Sequence, residues 1–293
     1  MNERVKTWIY ATRPHTLGAS IAPMLIVLGS LVDEDAMQWG IYFLCFLVAL
    51  SAQIASNLAN DYFGFKSGED TPQRLGFRRL LSSGEVTQKE MKWALVIAMS
   101  LCAIAGISIV ALSGWELLII GGLVLFAAIA YSAGTFSLAR IALGDLAVVL
   151  FYGFIPILAT YYAVASIPPL YLVLLSLGIG MWEDNILVCN NYRDFDEDNA
   201  SGKKTLIVRM GEDSGPLLYL VNSISSFILI VAGLVLEGSY IGAMIASITT
   251  LVLFGNGVLA IKRLHGRSLN KLLKYTNIVS IIIGVTIMLS LII

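Results

Sequence analysis

Two polar stretches combine carboxylates, amides and cations at spacings that suit metal-assisted chemistry on an anion. The stretch at 190–209, NNYRDFDEDNASGKKTLIVR, places four acids and four bases directly after a long apolar segment. An earlier stretch, at 57–79, repeats the order of Asn, carboxylate, Gly and then Lys or Arg. Mg²⁺ is commonly held by one or two carboxylates while phosphate oxygens and water fill its other positions. The paired stretches therefore predict a site for a metal-bound anion, and diphosphate is a suitable bridging ligand.

The same stretches supply cations for the remaining oxygens of such an anion. Arg grips phosphate through its planar fork, and Lys acts as a point charge. The sequence contains no GxSxG, P-loop, GxGxxG, HExxH or CxxC pattern, and its two His residues are isolated, so covalent and zinc catalysis are not expected. The candidate phosphate-binding cations are Arg74, Arg78, Arg79, Lys203, Lys204 and Arg209.

The chemistry that remains is metal-assisted departure of diphosphate from a lipid-soluble donor, which leaves an allylic cation. A dry pocket with aromatic faces would stabilise that cation. Each aromatic side chain taken alone is more typical of an interfacial or packing residue. The candidates are Tyr62, Tyr131, Tyr152, Trp182 and Tyr192.

Membrane-spanning helices must position these residues. The chain has 293 residues, is 57% hydrophobic and 13% charged, and has a mean hydropathy of +0.81, which excludes an ordinary soluble domain. A helix needs about 20 apolar residues to cross the hydrocarbon core. We therefore predict an all-α, multi-pass membrane protein, with one domain over 1–293 and nine spans. The spans lie at 16–32, 39–59, 91–112, 115–131, 143–164, 168–190, 214–236, 240–260 and 275–292.

Charge placement predicts the orientation of these spans. All 19 Lys and Arg residues fall at the N-terminus or at the even-numbered connections, whereas the odd-numbered connections hold acids such as Asp33, Glu116 and Glu237. By the positive-inside rule, the N-terminus and both polar stretches lie in the cytoplasm and the C-terminus lies outside. We expect the protein in the cytoplasmic (inner) membrane, in contact with membrane lipid. Nucleic acid is not an expected partner.

Helical spacing places several polar residues on common faces. Gln53, Asn57, Asn60, Asp61 and Gly64 fall within about 60° of one another on the second span. Polar groups in a lipid-embedded helix are costly unless they face partners or a cavity, so this stripe should face the bundle interior. Packing between helices is the alternative role for the stripe.

Glu183 and Asp184 are unusual because they lie well inside the sixth span, where a carboxylate costs about 2.5–3.5 kcal/mol. Glu183 shares a helix face with Asn190 and Asp194 and lies about 10 Å deeper than Asn190. We expect Glu183 to accept a hydrogen bond from the hydroxyl of an acceptor molecule or to stabilise the cation. A salt bridge with Arg13 or Arg140 is the alternative.

Four motifs give the chain a resemblance to a known family. They are RPHTL at 13–17, NLANDYFGFKSGED at 57–70, RLGFRRLLSSG at 74–84 and NNYRDFDEDNASGKKTLIVRMG at 190–211. The chain resembles the intramembrane aromatic prenyltransferases of the UbiA superfamily, and is nearest to the branch that prenylates 1,4-dihydroxy-2-naphthoate in menaquinone synthesis. The resemblance implies nine helices around a central cavity that opens sideways to lipid, under a cytoplasmic cap.

The resemblance also implies a reaction and roles for individual residues. A polyprenyl diphosphate would prenylate an aromatic acid, with loss of the carboxylate to give demethylmenaquinone, and Mg²⁺ would be required, with Mn²⁺ as an alternative. Arg79 and Lys203 would grip the phosphates, and Tyr131 would face the diphosphate or the cation. The Mg²⁺–diphosphate would be held by Asn57, Asp61, Asn190, Asp194 and Asp198.

One position departs from the family pattern. The branch usually carries NDYxD, but this chain has NDYFG at 60–64, so Gly64 stands where a carboxylate is expected. Asp70 compensates, or the first metal binds more weakly, or the activity has been lost. Two rival functions also stay open: transfer to another acceptor such as 4-hydroxybenzoate, and a nine-span transporter or lipid-binding protein that uses the acids as an ion path.

Overall fold

The computed structural model describes residues 2–32, 37–68, 74–134, 137–165 and 167–293. Within these ranges the chain is built from helices, and Ile141 and Lys204 form an isolated bridge between two connections. The α-helices are α1 Glu3–Ala11, α2 Gly18–Leu31, α3 Trp39–Ser67, α4 Gln88–Ser113, α5 Leu117–Ala130, α6 Gly144–Val149, α7 Ile155–Val164, α8 Leu170–Arg193, α9 Phe195–Ala200, α10 Leu206–Met210, α11 Ser214–Glu237, α12 Tyr240–Ile261 and α13 Leu269–Ile292.

Local sequence signals set several helix ends. Thr87 and Glu90 form a capping box at the start of α4, with Glu90 N donating to Thr87 Oγ1 at 3.2 Å and Thr87 N donating to Glu90 Oε2 at 2.8 Å. Thr205 caps α10 in a similar way, since Val208 N donates to its Oγ1. α3 ends at Gly68, whose φ of 75° a residue with a side chain rarely adopts.

The prediction of an all-α protein with several membrane-spanning helices is confirmed, but the predicted count of nine spans is not. Every predicted apolar segment lies on a helix, and in the described part of the chain seven helices are long and apolar enough to cross a membrane. An eighth span results if α1 and α2, bent by 61°, are taken together. α5 has 14 residues, and at 1.5 Å per residue it reaches only about 21 Å of a hydrocarbon core of about 30 Å.

One span contains an irregular turn that contributes to the site. α6 and α7 are joined by a π-helical turn at Leu150–Phe154 and together form the span Gly144–Val164. Pro156 follows in the next turn, and because proline has no N–H, it cannot bond the carbonyl of Tyr152 four residues earlier. π turns often occur at functional sites, and this one presents Phe151 and Tyr152 to the central cavity.

α8 is the most buried span and lies at the centre of the packing. It packs against α11, α13 and the π turn. Trp182 of α8 is fully buried, stacks on Phe254 of α12 with ring centroids 3.9 Å apart, and donates from Nε1 to the carbonyl of Thr276 in α13 at 3.2 Å. The second polar stretch therefore begins at the end of a helix that is held in place by its neighbours.

Candidate active site

A cavity of about 240 Å³ lies among α2, α3, α4, α5, the α6–α7 span and α8. Its lining is mostly apolar, and the amides of Asn57, Asn60 and Asn190 lie toward the ends of α3 and α8 that carry the two polar stretches. Four of the predicted site residues line the cavity, namely Asn57, Tyr131, Glu183 and Asn190. The polar stripe on α3 faces it as expected, since Gln53, Asn57 and Asn60 all contribute to the lining.

Three of the four aspartates predicted to bind metal are among the described residues, and none of the three lines the cavity. Asp61, Asp194 and Asp198 are 6%, 8% and 5% exposed. Asp61 Oδ2 accepts a hydrogen bond from the backbone N of Leu80 at 3.0 Å. Its buried Oδ1 accepts none from any residue that the structure describes. An orphaned carboxylate oxygen of this kind is available to an added ligand.

Asp194 is held by two arginines. Arg193 donates from Nε to Oδ1 at 2.7 Å and from Nη2 to Oδ2 at 2.6 Å, and Arg74 Nη2 lies 3.6 Å from the same Oδ2. Arg193 also donates to Asn270 Oδ1 at 2.6 Å, while Asn270 Nδ2 donates to the carbonyl of Leu75 at 3.0 Å. Both polar stretches and α13 thus meet at Asp194.

Gly76 permits this close approach. A Cβ at position 76 would lie 2.8 Å from Arg193 Nη2 and 2.9 Å from Arg74 Nε, both shorter than ordinary van der Waals contact. The two guanidinium groups can share this space only because residue 76 has no side chain.

Asp198 and Asn60 each have a basic partner from the predicted set. Lys203 Nζ lies 2.8 Å from Asp198 Oδ1, and Arg79 Nη2 donates to Asn60 Oδ1 at 2.6 Å. Burial raises the pKa of the Asp198 carboxyl, and the neighbouring Lys203 ammonium opposes that shift. Lys203 therefore lies at a carboxylate of the second polar stretch, and Arg79 lies at an amide of the first. Arg209, by contrast, is exposed on α10 and donates to the carbonyl of Lys204 at 3.2 Å.

The donor atoms suit Mg²⁺ or Mn²⁺, because carboxylate and amide oxygens are hard ligands. No three His, Cys, Asp or Glu side chains within the described ranges converge as a metal cage. The fit is therefore to an ion that takes one or two carboxylates, such as Asp61 or Asp194, and completes its shell with phosphate oxygens and water. Asp70, a predicted ligand, lies outside the described residues.

The two acids inside α8 have different surroundings. Glu183 is 1% exposed and lines the cavity, and neither of its carboxylate oxygens accepts a hydrogen bond from any described residue. Asp184 does not line the cavity, and its Oδ2 accepts a hydrogen bond from Asn222 Nδ2 at 2.8 Å. The alternative of a salt bridge from Glu183 to Arg13 or Arg140 is not observed in the described part of the chain, because neither Glu183 oxygen has a hydrogen-bonding partner there. Arg140 Nη2 donates instead to the carbonyl of Ser201 at 3.2 Å.

The aromatic candidates separate into two groups. Tyr131 and Tyr152 line the cavity. Trp182 and Tyr192 do not: Trp182 is enclosed by its contacts with Phe254 and Tyr219, and Tyr192 packs against Gly215. Trp182 is therefore a packing residue, because its ring contacts Tyr219 of α11, Phe254 of α12 and the Thr276 carbonyl of α13.

Sequence reasoning assigned no site role to Arg193 and gave Arg13 only a possible salt bridge. Arg13 lines the cavity, and in the described part of the chain it is the one non-glycine residue with positive φ, at 54°. Left-handed backbone at a non-glycine residue costs free energy and is concentrated at functional sites. The dipeptide Arg13-Pro14 at a helix break could have indicated a special role for Arg13. The opposite charge of Asp194, its neighbour in the sequence, could have indicated an ion pair for Arg193.

Two relatives match most of the chain. The sequence is 34% identical to the 1,4-dihydroxy-2-naphthoate octaprenyltransferase of Escherichia coli (strain K12) over 71% of this chain and 70% of that protein. It is 30% identical to the 1,4-dihydroxy-2-naphthoate octaprenyltransferase of Bacillus subtilis (strain 168) over 78% of this chain and 73% of that protein.

Solved structures share the fold. A UbiA homolog from Aeropyrum pernix K1 matches with a TM-score of 0.70 at 16% identity, covering 92% of this chain and 97% of that one. A UbiA homolog from Archaeoglobus fulgidus, bound to DMAPP and Mg²⁺, matches with a TM-score of 0.69 at 14% identity, covering 96% and 97%.

The model of the UbiA prenyltransferase family matches residues 20–281, which is most of the chain. The protein is therefore an enzyme that transfers prenyl groups, and the transporter alternative is set aside. The chain belongs to the UbiA prenyltransferase family.

Proposed function

We propose that the protein transfers a polyprenyl group from a polyprenyl diphosphate to 1,4-dihydroxy-2-naphthoate, with loss of the carboxylate as carbon dioxide. The observation that carries the proposal is the cavity. Its polar end lies beside the buried carboxylates of both polar stretches, and its walls are otherwise apolar. Such a cavity suits a substrate with an anionic head and a long hydrocarbon tail. The names of the relatives from Escherichia coli and Bacillus subtilis support the choice of acceptor.

The diphosphate end of the donor lies at the carboxylates. Arg79 and Lys203 bind phosphate oxygens, as does Arg74, whose guanidinium already lies beside Asp194. Asp61, Asp194 and Asp198, with the amides of Asn57 and Asn190, would hold Mg²⁺ or Mn²⁺, and Asp70 is a further proposed ligand. The ion, when bound, would neutralise charge on the departing diphosphate. Arg209 is proposed as an outer phosphate contact, since it is exposed on α10.

The reaction exchanges one carbon–oxygen bond for one carbon–carbon bond. The bond between the prenyl carbon and the diphosphate oxygen breaks, and the diphosphate leaves with the electron pair. The acceptor ring carbon then bonds to the allylic carbon. Its carboxyl group departs as carbon dioxide, and the electron pair of that bond restores the aromatic ring. The product is the 1,4-dihydroxy form, demethylmenaquinol, and a separate two-electron oxidant outside this enzyme would convert it to demethylmenaquinone.

Tyr131 and Glu183 line the cavity, where Tyr131 acts on the allylic cation and Glu183 acts on the acceptor. The Tyr131 ring stabilises the allylic cation through its π face. Glu183 accepts a hydrogen bond from an acceptor hydroxyl, which makes the ring more electron-rich as the cation arrives. An acceptor without a second ring, such as 4-hydroxybenzoate, is the alternative substrate for the same residues.

The protein lies in the inner membrane, with its N-terminus and both polar stretches in the cytoplasm and its C-terminus outside. Cysteine labelling tests this orientation, because the three native cysteines are buried. Cysteines introduced at Ser67 and Ser201, both exposed, should react with an impermeant maleimide only from the cytoplasmic side. Labelling from the outer side at either position would contradict the proposed orientation.

The proposed reaction is tested with purified protein in detergent. The protein is incubated with Mg²⁺, farnesyl or a longer prenyl diphosphate, and competing aromatic acids, and the products are identified by mass spectrometry. We expect a prenylated 1,4-naphthalenediol that has lost the mass of carbon dioxide. A product that retains the carboxylate, or preferential prenylation of 4-hydroxybenzoate, would reject this acceptor.

A further inference from the structure

The cavity continues from its polar end into a narrow apolar part, here called the apolar arm. Tyr131 lies at the polar end of α5, and Gly121 lies ten residues earlier on the same helix, about 15 Å away along its axis. The arm is bounded by Gly106 and Ile109 of α4 and by Leu117, Ile120, Gly121 and Val124 of α5.

α5 separates the apolar arm from the outside of the protein with a single layer of helix. Leu117, Gly121, Val124 and Tyr131 recur at helical spacing and line the cavity. The opposite face is exposed, with Ile119 64% and Phe126 69% accessible. Large exposed apolar side chains on a spanning protein face lipid, so the apolar arm runs along the inner side of a lipid-facing helix.

The glycines of the arm are not required for packing. A Cβ at Gly106 or Gly121 would meet no atom within 4 Å. On α2 and α13, by contrast, a Cβ at Gly18 or Gly29 would lie 2.6 Å from a neighbouring helix, and one at Gly284 would lie 2.9 Å away. Glycine inside a helix destabilises it by about 0.5–1 kcal/mol relative to alanine. Gly106 and Gly121 therefore destabilise their helices slightly, and they leave open space in the arm.

We propose that Gly106 and Gly121 determine the length of the prenyl donor that the enzyme accepts, by leaving the apolar arm open to the tail. The inference rests on the proposed function. A larger residue substituted at either position would project from α4 or α5 into the arm and block the path of a long tail. A short donor, whose tail ends before Gly121, is unaffected because the polar end of the cavity is unchanged.

Gly121→Leu tests the proposal, and Gly122→Leu is the matched control. Gly122 is the next residue of α5, a Cβ there also meets nothing within 4 Å, and it is exposed and absent from the cavity lining. The kcat/KM of prenyl transfer is measured with dimethylallyl, geranyl, farnesyl and octaprenyl diphosphates. We expect Gly121→Leu to lower the octaprenyl-to-geranyl ratio by about tenfold or more, and Gly122→Leu to keep the wild-type ratio.

Retained activity with geranyl diphosphate shows that the variant is folded. Gly106→Leu, on the α4 side of the arm, is the second test and should shift the ratio in the same direction. An unchanged ratio in both variants, or an equal loss with every donor, would overturn the proposal while leaving the proposed function standing. A wild-type protein that prenylates no aromatic acid with any donor would overturn both.

Discussion

Asn222 Nδ2 donates to Asp184 Oδ2 at 2.8 Å, whereas Glu183, the preceding residue of α8, has no such donor among the described residues and faces the cavity. Consecutive helical residues point about 100° apart, so one carboxylate enters the α8–α11 interface and the other enters the cavity. Asp184 thus has a donor for Oδ2 from α11, although its Oδ1 accepts no hydrogen bond from a described residue. Glu183 is available to a bound acceptor.

Glu183→Gln should lower turnover by about tenfold or more and raise the acceptor KM, because the amide is a poorer hydrogen-bond acceptor for a hydroxyl than the carboxylate. The KM for the prenyl diphosphate should stay unchanged, since Glu183 lies about 10 Å deeper in the helix than Asn190. Steady-state kinetics with each substrate varied in turn measure both quantities.

Asp184→Asn is the matched control for that experiment, because it alters the neighbouring acid outside the cavity. Its effect on the acceptor KM should be smaller. Equal activity in the two variants, or loss of folded Glu183→Gln protein, would assign Glu183 a structural role only.

Asp61→Ala should abolish turnover while leaving a folded protein, because the lost carboxylate is proposed to bind metal. Asp194→Ala should also abolish turnover, but it should lower stability as well, because it leaves the buried Arg193 guanidinium without its carboxylate partner. EDTA should abolish wild-type activity, and Mg²⁺ or Mn²⁺ should restore it. Activity is followed by product formation, and folding by the elution profile in detergent. Turnover that persists in EDTA would show that the carboxylates serve another purpose.

Gly64→Asp should lower the Mg²⁺ concentration needed for half-maximal activity. Position 64 lies four residues after Asn60 and seven after Asn57 on α3, and these spacings place the three residues on one face of the helix. A carboxylate there would add a ligand that the sequence otherwise lacks. The Mg²⁺ dependence of the rate is measured for the wild type, Gly64→Asp and Asp70→Ala. An unchanged dependence in Gly64→Asp together with a weakened one in Asp70→Ala would assign the ligand role to Asp70.

Arg193→Ala should destabilise the protein by about 3 kcal/mol, because it removes one partner of a buried ion pair and leaves Asp194 with Arg74 alone, at 3.6 Å. The Arg193 side chain is 2% exposed and also binds Asn270. Thermal unfolding in detergent measures the effect. Arg209→Ala, which removes an exposed arginine, should change stability by no more than about 0.5 kcal/mol. Equal stabilities of the two variants would contradict the role given to Arg193.

Helix positions and helix faces could be predicted from the sequence because they depend on local periodicity. The same periodicity placed Asn57, Asn190 and Glu183 toward one cavity, as the structure shows. The number of spans could not be predicted, since it depends on the backbone bend near Arg13 and on where α5 ends.

The contacts made by Arg193 could not be predicted either. Asn270 is 77 residues away in the sequence, and its approach depends on how α8 and α13 pack. The burial of Trp182 has the same origin, because its neighbours come from α11, α12 and α13. Spacing along the chain specifies which face a residue occupies, but not which distant element covers that face.

The link from Leu75 through Asn270 to Arg193 has a consequence for biosynthesis. Asn270 lies in the first turn of α13, which the ribosome makes after every other helix described above. The loop before α4 and the end of α8 therefore lack their common anchor while the earlier spans are being inserted. We therefore expect the two polar stretches to gain this shared anchor only after α13 has been made.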